Sequence, residues 1–470
     1  MKVIFVYHNR VEGGFMPISI ATLGGALKRN GIEAKVFDTT FYRDKNSPFL
    51  EDDIDIRQGK KGGYKKVAGY DHTRETVDLT EKFHEEVEKY KPDLIAATST
   101  SFEFHSLTDF ILPTKRKLGI PVIIGGSHAT VVPYEAIQNP AIDYVCVGEG
   151  ERPLLELVKR LETNQDTSNI PNLVTKTNNG KIITNSRYPI LHMDETPDPD
   201  WSLLSEKHRI RPFEGKIENY GFFEWSRGCP HKCSYCINSA LHKMKAPGDI
   251  QPGNYRFFSP EENIRRMMGK KQEPGFTHIQ LIDENVTAMP RKDFEKFAEL
   301  YKGNIGVGFF TQSRPENLIG ESGKAKILAE MGCKMVAMGM ESGNADLRKN
   351  VLNRPMRDGV IEEAVEAIRR EGMKVAAYYM IGFPSETEEM IKETIALHKR
   401  VQPDRFSVRF LHPFPGTEIR ELCIKKGYID KDHEFKDQGV NFFRAPVLDL
   451  PSPPHPSRER LIELRQEFEQ

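Results

Sequence analysis

Three of the six cysteines in this 470-residue chain lie within eight residues. Cys229, Cys233 and Cys236 have the spacing C-x3-C-x2-C, and Gly228 and Pro230 flank the first of them in a pattern typical of a tight loop. Thiolates are soft ligands that suit zinc or iron–sulfur clusters. A closed zinc site needs four protein ligands, and an ordinary [4Fe–4S] cluster needs four thiolates. Three thiolates therefore predict a cluster with one iron open to a small molecule.

A zinc site completed by His231, His242 or a remote cysteine is the main alternative. His231 lies between two of the clustered cysteines and would have to fold back onto the same ion. The remaining cysteines each stand alone in apolar segments, where a free cysteine usually acts as a small core residue. They are Cys146, Cys333 and Cys423. Chance clustering is a second alternative, which the small number of cysteines disfavours.

The cysteine spacing and the sequence Ser226-Arg-Gly-Cys-Pro230 resemble the radical S-adenosylmethionine (SAM) superfamily, in the form found in members with an N-terminal cobalamin-type domain. In that superfamily, three thiolates hold a [4Fe–4S] cluster, and the amino and carboxylate groups of SAM chelate the fourth iron. Electron transfer then cleaves SAM to methionine and a 5′-deoxyadenosyl radical. The resemblance implies that Cys229, Cys233 and Cys236 are the metal ligands and the catalytic centre here.

The bulk composition excludes several other classes of protein. Lys and Arg number 67 and Asp and Glu number 68, so the net charge of −1 predicts no attraction to nucleic acid. The apolar runs are too short to cross a bilayer, and the N-terminus lacks the pattern of a signal peptide. Few cysteines, half of them clustered, argue against a disulfide framework. We therefore predict a cytoplasmic protein without a transmembrane segment.

Residues 1–162 alternate strand patterns with helical patterns. The strand patterns are Lys2–Tyr7, Ala34–Asp38, Asp93–Thr98, Pro121–Gly125 and Tyr144–Val147. This alternation predicts right-handed crossovers and a Rossmann-like, doubly wound parallel sheet, interrupted by a charged, glycine-rich loop at 42–75. Ligands on such sheets bind at the carboxyl ends of the strands. The small or polar residues predicted at those ends are Ser99, Ser101, Gly125, Gly126, His128 and Gly148.

The segments 125–130 (GGSHAT) and 147–151 (VGEGE) resemble the cobalamin-binding domain of cobalamin-dependent radical SAM enzymes. The resemblance implies that the six residues above hold a corrinoid, with His128 at its nucleotide tail. The D-x-H-x-x-G motif that supplies a cobalt ligand in other cobalamin proteins is absent, and His8 lies near its place without the Asp or the Gly. The resembled family generally holds cobalamin without a histidine ligand. A degenerate domain that binds no corrinoid is the alternative.

Residues 163–215 are rich in Asn, Thr, Pro and Asp and predict a linker. Six strand–helix units follow within 216–426, too few to close an eight-stranded barrel. The predicted strands are Gly221–Ser226, His278–Ile282, Gly306–Thr311, Met335–Met340, Lys374–Met380 and Arg405–Phe410. The resemblance implies a partial (β/α)6 barrel with its site on the loops after the strands. Residues 427–470 form a short C-terminal extension, with Ser457 predicted to cap a final helix.

The loops after the barrel strands contain the residues that the resemblance assigns to SAM. Asp283 and Glu284 follow the second strand and would accept hydrogen bonds from the SAM α-ammonium group. Arg314, after the third strand, would pair with a carboxylate. The structural alternative for the two acids is helix capping. The other assignments are Glu341 and Ser342 to the ribose or carboxylate of SAM, Arg354 to its carboxylate, and Gly382 to the loop near its adenine.

Together these features predict a radical SAM enzyme that uses cobalamin to methylate an unactivated carbon. Three alternatives stay open: cyclisation, rearrangement or C–C bond formation with both cofactors; a radical reaction without cobalamin; and an iron–sulfur scaffold or sensor. The SAM-type loops disfavour the last, because a sensor needs no contacts to ribose or adenine. The expected partners are a small-molecule or peptide substrate and a reducing protein such as flavodoxin or ferredoxin.

Overall fold

The computed structural model describes residues 1–9, 16–46, 75–177, 179–213, 216–243, 255–271, 275–321, 323–433 and 445–469. These residues divide into two compact units. The first contains the described residues up to Ile217, and the second contains those from Glu218 onward. The predicted loop at 42–75 lies mostly outside the described residues. The segment Phe435–Phe443, whose sequence is consistent with a strand or a loop, lies wholly outside them.

The first unit is built on a seven-stranded sheet in the order β2-β1-β5-β6-β7-β8-β9. Its strands, with the separate pair β3 and β4, are β1 (Lys2–Tyr7), β2 (Glu33–Asp38), β3 (Tyr42–Asp44), β4 (Glu75–Val77), β5 (Leu94–Thr98), β6 (Val122–Gly125), β7 (Tyr144–Cys146), β8 (Leu173–Lys176) and β9 (Ile182–Thr184). Its helices are Ile18–Arg29, Leu79–Tyr90, Phe104–Leu118, Ser127–Val131, Pro133–Gln138 and Glu151–Glu162. Strands β2, β1, β5, β6 and β7 are parallel, which confirms the predicted doubly wound sheet.

Strand β1 lies inside this sheet and is buried on both faces. Val3 and Phe5 pack with the helices Ile18–Arg29 and Glu151–Glu162. Ile4 and Val6, which point the other way because side chains alternate along a strand, pack with the helices Leu79–Tyr90 and Phe104–Leu118. From the gap between β1 and β5, the chain continues to β2 on one side and to β6 and β7 on the other. Ligands of doubly wound sheets bind at the carboxyl ends of the strands beside such a point of reversal.

The segment predicted to be a linker, 163–215, is ordered within the first unit. Strand β8 pairs antiparallel with β7, and β9 pairs antiparallel with β8. Further along, His208 Nε2 lies 2.5 Å from Asp38 Oδ2, and Arg29 donates to Asp198 Oδ2 at 2.8 Å. These contacts place the segment on the parallel sheet itself. The predicted limits of the domains stay predictions.

The short strand β10 (Ile210–Phe213) belongs to the end of the first unit. The second unit contains six parallel strands in the order β11-β14-β15-β16-β17-β18. The strands, with the short pair β12 and β13, are β11 (Lys216–Phe223), β12 (Ser226–Arg227), β13 (Arg256–Phe257), β14 (His278–Leu281), β15 (Gly308–Ser313), β16 (Cys333–Glu341), β17 (Lys374–Ile381) and β18 (Arg405–Phe410). The helices are Ile237–Lys243, Pro260–Lys271, Arg291–Asn304, Ala325–Glu330, Ala345–Asn350, Val360–Arg370, Glu388–Val401, Glu418–Lys425 and Arg458–Gln466. This curled sheet is the predicted partial barrel.

The outer face of the barrel sheet packs against its helices in one continuous core. Trp225 is fully buried there, with its ring 4.4 Å from that of Phe297 and 5.4 Å from that of Phe309. The final helix packs on the same core through Leu461, and Ser457 Oγ accepts from Arg460 N as the predicted cap. None of the helices among the described residues is long and apolar enough to cross a membrane.

Candidate cluster and cofactor sites

The three clustered cysteines follow β11, on the loop that leads to the helix Ile237–Lys243. All three are free thiols; Cys233 is buried, and the other two are half-buried. The loop is anchored at Ser234, whose N–H and hydroxyl donate to the carbonyls of Leu352 and Val351 at 3.0 and 2.6 Å. The cysteine loop is thus held against the segment that follows the fourth barrel strand, more than a hundred residues later.

The protonation of the thiols bears on cluster binding. Within the described part of the chain, no three His, Cys, Asp or Glu side chains are arranged to hold a single metal ion. Burial raises the pKa of the Cys229 thiol and raises that of Cys236 to about 12. Burial thus favours the protonated form of these two thiols, and cluster binding must release their protons.

Two arginines lie against the middle cysteine. Arg314 Nη1 is 3.4 Å from Cys233 Sγ, and Arg354 Nη1 is 3.9 Å from the same sulfur. Both arginine side chains are buried. Arg314 also forms an ion pair with Glu316. Sequence analysis expected both arginines near a carboxylate, and the structure adds the thiol as a partner of each.

Glu341 ends β16 at a register shift and has a left-handed backbone, with φ of 62°. A non-glycine residue in this conformation stores strain, which is common at functional sites. Burial raises the pKa of the Glu341 carboxyl, and the nearby Arg354 guanidinium and Tyr235 hydroxyl oppose that rise. Arg354 donates to the Gly339 carbonyl at 2.5 Å. The structure thus brings Glu341, Arg354 and the cysteine loop together.

Asp283 lies at the root of the cysteine loop and is buried. Its carboxylate accepts from Trp225 N at 3.1 Å, and from Ser226 N and Oγ at 2.5 and 2.6 Å. Burial raises the pKa of this carboxyl to about 8, although the bonds from Ser226 and Trp225 lower it. The observed contacts therefore hold the Asp283 carboxyl against the backbone of Trp225 and Ser226, and its contact with the SAM ammonium group stays a prediction. Glu284, next to it, is exposed.

These contacts predict different effects for two buried acids. Asp283→Ala leaves two buried N–H groups without partners, at about 1–3 kcal/mol each, so we expect loss of iron from the reconstituted protein. Glu341→Gln keeps the loop anchored, so we expect normal iron content and SAM affinity weakened roughly ten- to a hundredfold. Iron analysis and equilibrium dialysis with SAM measure the two effects. Full iron content in Asp283→Ala would refute the anchoring role.

Two other predicted residues have internal partners. Ser342 is fully buried; its hydroxyl lies 3.2 Å from Thr394 Oγ1 and accepts from Asn344 N. Gly382, with φ of 83°, donates its N–H to Glu386 Oε2 at 2.6 Å. Both residues shape their loops, because the Ser342 hydroxyl and the Gly382 N–H are each bonded to a neighbouring protein group.

Sequence reasoning missed three participants in this site. Tyr235 lies within the cysteine motif, and its hydroxyl forms a hydrogen bond with the Glu341 carboxyl that lowers the pKa of that carboxyl. Glu316 orients Arg314 from two residues away. Glu386 accepts from the N–H groups of Gly382 and Phe383. The sequence shows Tyr235 between two cysteine ligands and Glu316 two residues after Arg314. It does not show which groups these side chains contact, because that depends on the tertiary fold.

In the first unit, the predicted residues meet at the carboxyl edge of β5, β6 and β7. Ser99 N donates to Gly125 O, His128 N donates to Ser99 O, and Gly148 N donates to a neighbouring threonine. Gly126 has φ of 95°, and a Cβ there would lie 2.5 Å from Ser99 O. The Ser99 hydroxyl and His128 Nε2 are buried without a hydrogen-bond partner. An edge with glycine clearance and unpaired polar atoms fits a ligand rich in polar groups, as a corrinoid is.

The two histidines of this edge are engaged by protein groups. His128 is buried, its Nδ1 lies 3.1 Å from Ser101 Oγ, and its ring lies 4.1 Å from that of Phe104. Burial lowers the pKa of His128 to about 4, so the ring is neutral at pH 7. His8 is also buried, with Nε2 2.8 Å from a serine hydroxyl. These contacts occupy Nε2 of His8 and Nδ1 of His128, and the absence of a histidine ligand to cobalt stays a prediction.

Electron paramagnetic resonance tests this expectation. In protein labelled with ¹⁵N-histidine, we expect the cob(II)alamin spectrum to be identical to that of unlabelled protein. Both ring nitrogens of His8 lie at hydrogen-bond distance from hydroxyl groups, and His128 is expected at the nucleotide tail of the corrinoid. The unlabelled protein serves as the control for nitrogen that belongs to the corrinoid itself. A change of the superhyperfine pattern on labelling would show a histidine on cobalt and contradict the prediction.

Two family models match the chain. Residues 223–398 match the radical SAM superfamily, and residues 59–158 match the B12 binding domain. The chain is a radical SAM enzyme with a B12-binding domain. This confirms the resemblance seen in the sequence, and the two domains imply a [4Fe–4S] cluster, SAM and cobalamin as cofactors. A radical SAM enzyme also needs a reductant and a substrate.

Curated relatives of this radical SAM enzyme carry two kinds of name. An uncharacterized methyltransferase of Pyrococcus horikoshii is 27% identical over 341 residues, covering 72% of this chain and 71% of the relative. The anaerobic magnesium-protoporphyrin IX monomethyl ester cyclase of Rubrivivax gelatinosus is 25% identical, covering 79% and 65%. The cytidylyl-2-hydroxyethylphosphonate methyltransferase of Streptomyces wedmorensis is 21% identical, covering 88% and 79%. The chain thus spans about two thirds to four fifths of these relatives.

Solved structures share the fold of this radical SAM enzyme. The radical SAM methyltransferase TsrM from Kitasatospora setae, with cobalamin and a [4Fe–4S] cluster bound, has a TM-score of 0.65 at 18% identity, covering 90% of this chain and 78% of TsrM. The cobalamin-dependent radical enzyme OxsB, with aqua-cobalamin bound, has a TM-score of 0.65 at 14% identity, covering 91% and 62%. Both likenesses concern the fold alone.

Proposed function

We propose that this enzyme is a cobalamin-dependent C-methyltransferase that acts on an unactivated carbon. The observation that carries the proposal is that one chain contains two candidate cofactor sites. One is a three-cysteine loop on a partial barrel, and the other is a glycine-lined sheet edge on a B12-binding domain. The names of the Pyrococcus and Streptomyces relatives support methyl transfer. When bound, the cluster supplies the electron that cleaves SAM, and cobalamin carries the methyl group.

The second unit supplies the groups that would hold the cluster and SAM. Cys229, Cys233 and Cys236, once deprotonated, would bind three irons and leave the fourth for SAM. Glu341 and Arg354 lie next to this loop and offer a buried carboxylate and a guanidinium for the polar groups of SAM. Ordinary hydrogen bonds to charged groups contribute about 1.5–3 kcal/mol each, enough to fix the orientation of a bound nucleoside.

The first unit supplies the groups that would hold cobalamin. The Ser99 hydroxyl and His128 Nε2 are unpaired and buried, and each is available to a ligand. Ser101 orients the His128 ring through its Nδ1. Gly126 allows its loop to approach Ser99 closely, and Gly125 and Gly148 add no side chain at this edge of the sheet.

The test uses SAM with a CD₃ methyl group and the anaerobically reconstituted enzyme with hydroxocobalamin and a flavodoxin or ferredoxin reducing system. We expect the CD₃ group to appear in the corrinoid fraction, and 5′-deoxyadenosine to form. Label transfer needs no knowledge of the substrate. Formation of 5′-deoxyadenosine without any label in the corrinoid would contradict the methyltransferase proposal.

A second candidate is radical cyclisation with the same cofactors. It is favoured by the likeness to the Rubrivivax cyclase, which extends over 388 residues. A cyclase forms its ring without transferring a methyl group, so the CD₃ experiment separates the two reactions.

The expected location in the cytoplasm also stays a prediction.

A further inference from the structure

Two guanidinium groups lie beside the sulfur of Cys233. Arg314 lies directly after β15 and reaches its sulfur at 3.4 Å, and Arg354 reaches it from the segment after the fourth barrel strand at 3.9 Å. Only 8% of Arg314 and 4% of Arg354 is exposed. Two buried cations beside one thiol are costly to desolvate unless a negative charge compensates them.

Each guanidinium is anchored by N–H groups other than the one at the sulfur. Arg314 Nε donates to Glu316 Oε1 at 3.2 Å, and its Nη2 donates to the same oxygen at 2.5 Å. Arg354 Nη2 donates to Gly339 O at 2.5 Å. Because the guanidinium fork is planar and rigid, these anchors fix the direction of Nη1 toward Cys233.

The three thiols therefore have unequal environments. Among the residues that the structure describes, no arginine donates to the sulfur of Cys229 or Cys236. Positive charge and N–H···S hydrogen bonds favour the reduced, more negative state of an iron–sulfur cluster. The cationic side of this site is the side of Cys233.

We propose that Arg314 and Arg354 are positioning residues that raise the reduction potential of the cluster through Cys233. The inference rests on the proposed function only in that a cluster is bound. Reduction adds one electron from an external donor to the cluster, and no covalent bond changes. The anchored guanidinium groups stabilise the added negative charge and thereby make the cluster easier to reduce.

The test is a redox titration of the reconstituted enzyme without SAM, using dithionite and mediators and following the reduced cluster by electron paramagnetic resonance. We expect Arg314→Gln and Arg354→Gln each to disfavour reduction about tenfold, which is 59 mV for a one-electron couple. Arg357→Gln is the matched control: Arg357 is exposed and pairs with Glu363, and its removal should leave the potential unchanged.

The lysine variants Arg314→Lys and Arg354→Lys cover the case in which the glutamine variants do not assemble a cluster. They keep the charge but lose the anchored fork, so we expect a smaller shift in the same direction. The inference would be overturned if every variant that assembles a full cluster had the same cluster reduction potential as the wild type. Weaker SAM binding by an Arg354 variant with an unchanged SAM-free potential would also overturn it for that residue. Absence of any cluster in the wild type would instead refute the proposed function.

Discussion

Replacement of Cys229, Cys233 or Cys236 by Ala is expected to abolish cluster assembly and SAM cleavage. Three thiolates are the smallest set that holds a cubane while leaving one iron for SAM, so the loss of any one removes a ligand that the loop cannot replace. The iron content should fall from about four per chain to below one. Iron and sulfide analysis after anaerobic reconstitution, with chromatographic detection of 5′-deoxyadenosine, measures the result.

Cys423→Ala provides the matched control. Cys423 is a free cysteine of the same unit, is fully buried and packs in a minor apolar core that also contacts Tyr235. We expect this variant to retain its iron and its SAM cleavage, with only a modest loss of stability. A variant of a clustered cysteine that keeps four irons and normal cleavage would remove the basis of the assignment.

Gly126→Ala is expected to release the corrinoid while leaving the cluster in place. Gly126 has φ of 95°, and an added Cβ would lie 2.5 Å from Ser99 O and 2.8 Å from Thr98 Oγ1. Backbone conformations of this kind cost about 1–3 kcal/mol for residues other than glycine. The substitution must therefore displace the loop that carries Ser99. We expect corrinoid retention after gel filtration to fall at least tenfold, with unchanged iron content.

Gly119→Ala separates this local effect from general strain. Gly119 also has a positive φ, of 68°, but no atom lies within 4 Å of its added Cβ. It precedes β6, at the opposite end of that strand from Gly126. We expect Gly119→Ala to retain corrinoid like the wild type. Equal retention by both variants would show that the β5–β6 edge does not hold the ligand.

Much of the fold was predictable because local patterns determine it. Strands β1 and β18 were placed to the residue. Strand β1 is a short, buried apolar run, and β18 combines two arginines with apolar residues at alternating positions. Strand β16 (Cys333–Glu341) is longer than the predicted Met335–Met340, because the ends of an element depend on tertiary contacts. The cysteine motif was equally local, since its chemistry lies within eight residues.

The partners of the site residues were harder to predict because they are distant in sequence. Asp283 accepts a hydrogen bond from Ser226, which lies 57 residues earlier in the sequence. Arg354 contacts the sulfur of Cys233, which lies 121 residues earlier. A sequence pattern shows that an acid or an arginine follows a strand, but it does not show which neighbouring loop it meets. Composition also misled at 163–215: polar, proline-rich residues suggested a linker, whereas two antiparallel strands extend the first sheet there.

The visible absorption spectrum of anaerobically reconstituted, desalted enzyme tests the central claim most directly. The protein is supplied with iron, sulfide and hydroxocobalamin, and unbound cofactors are removed before measurement. We predict that the spectrum shows the broad thiolate-to-iron absorption together with the sharper corrin bands, in a ratio of one cluster to one corrinoid per chain. A spectrum with the iron–sulfur absorption but without corrin bands would contradict cobalamin dependence, and a spectrum with neither would contradict the whole account.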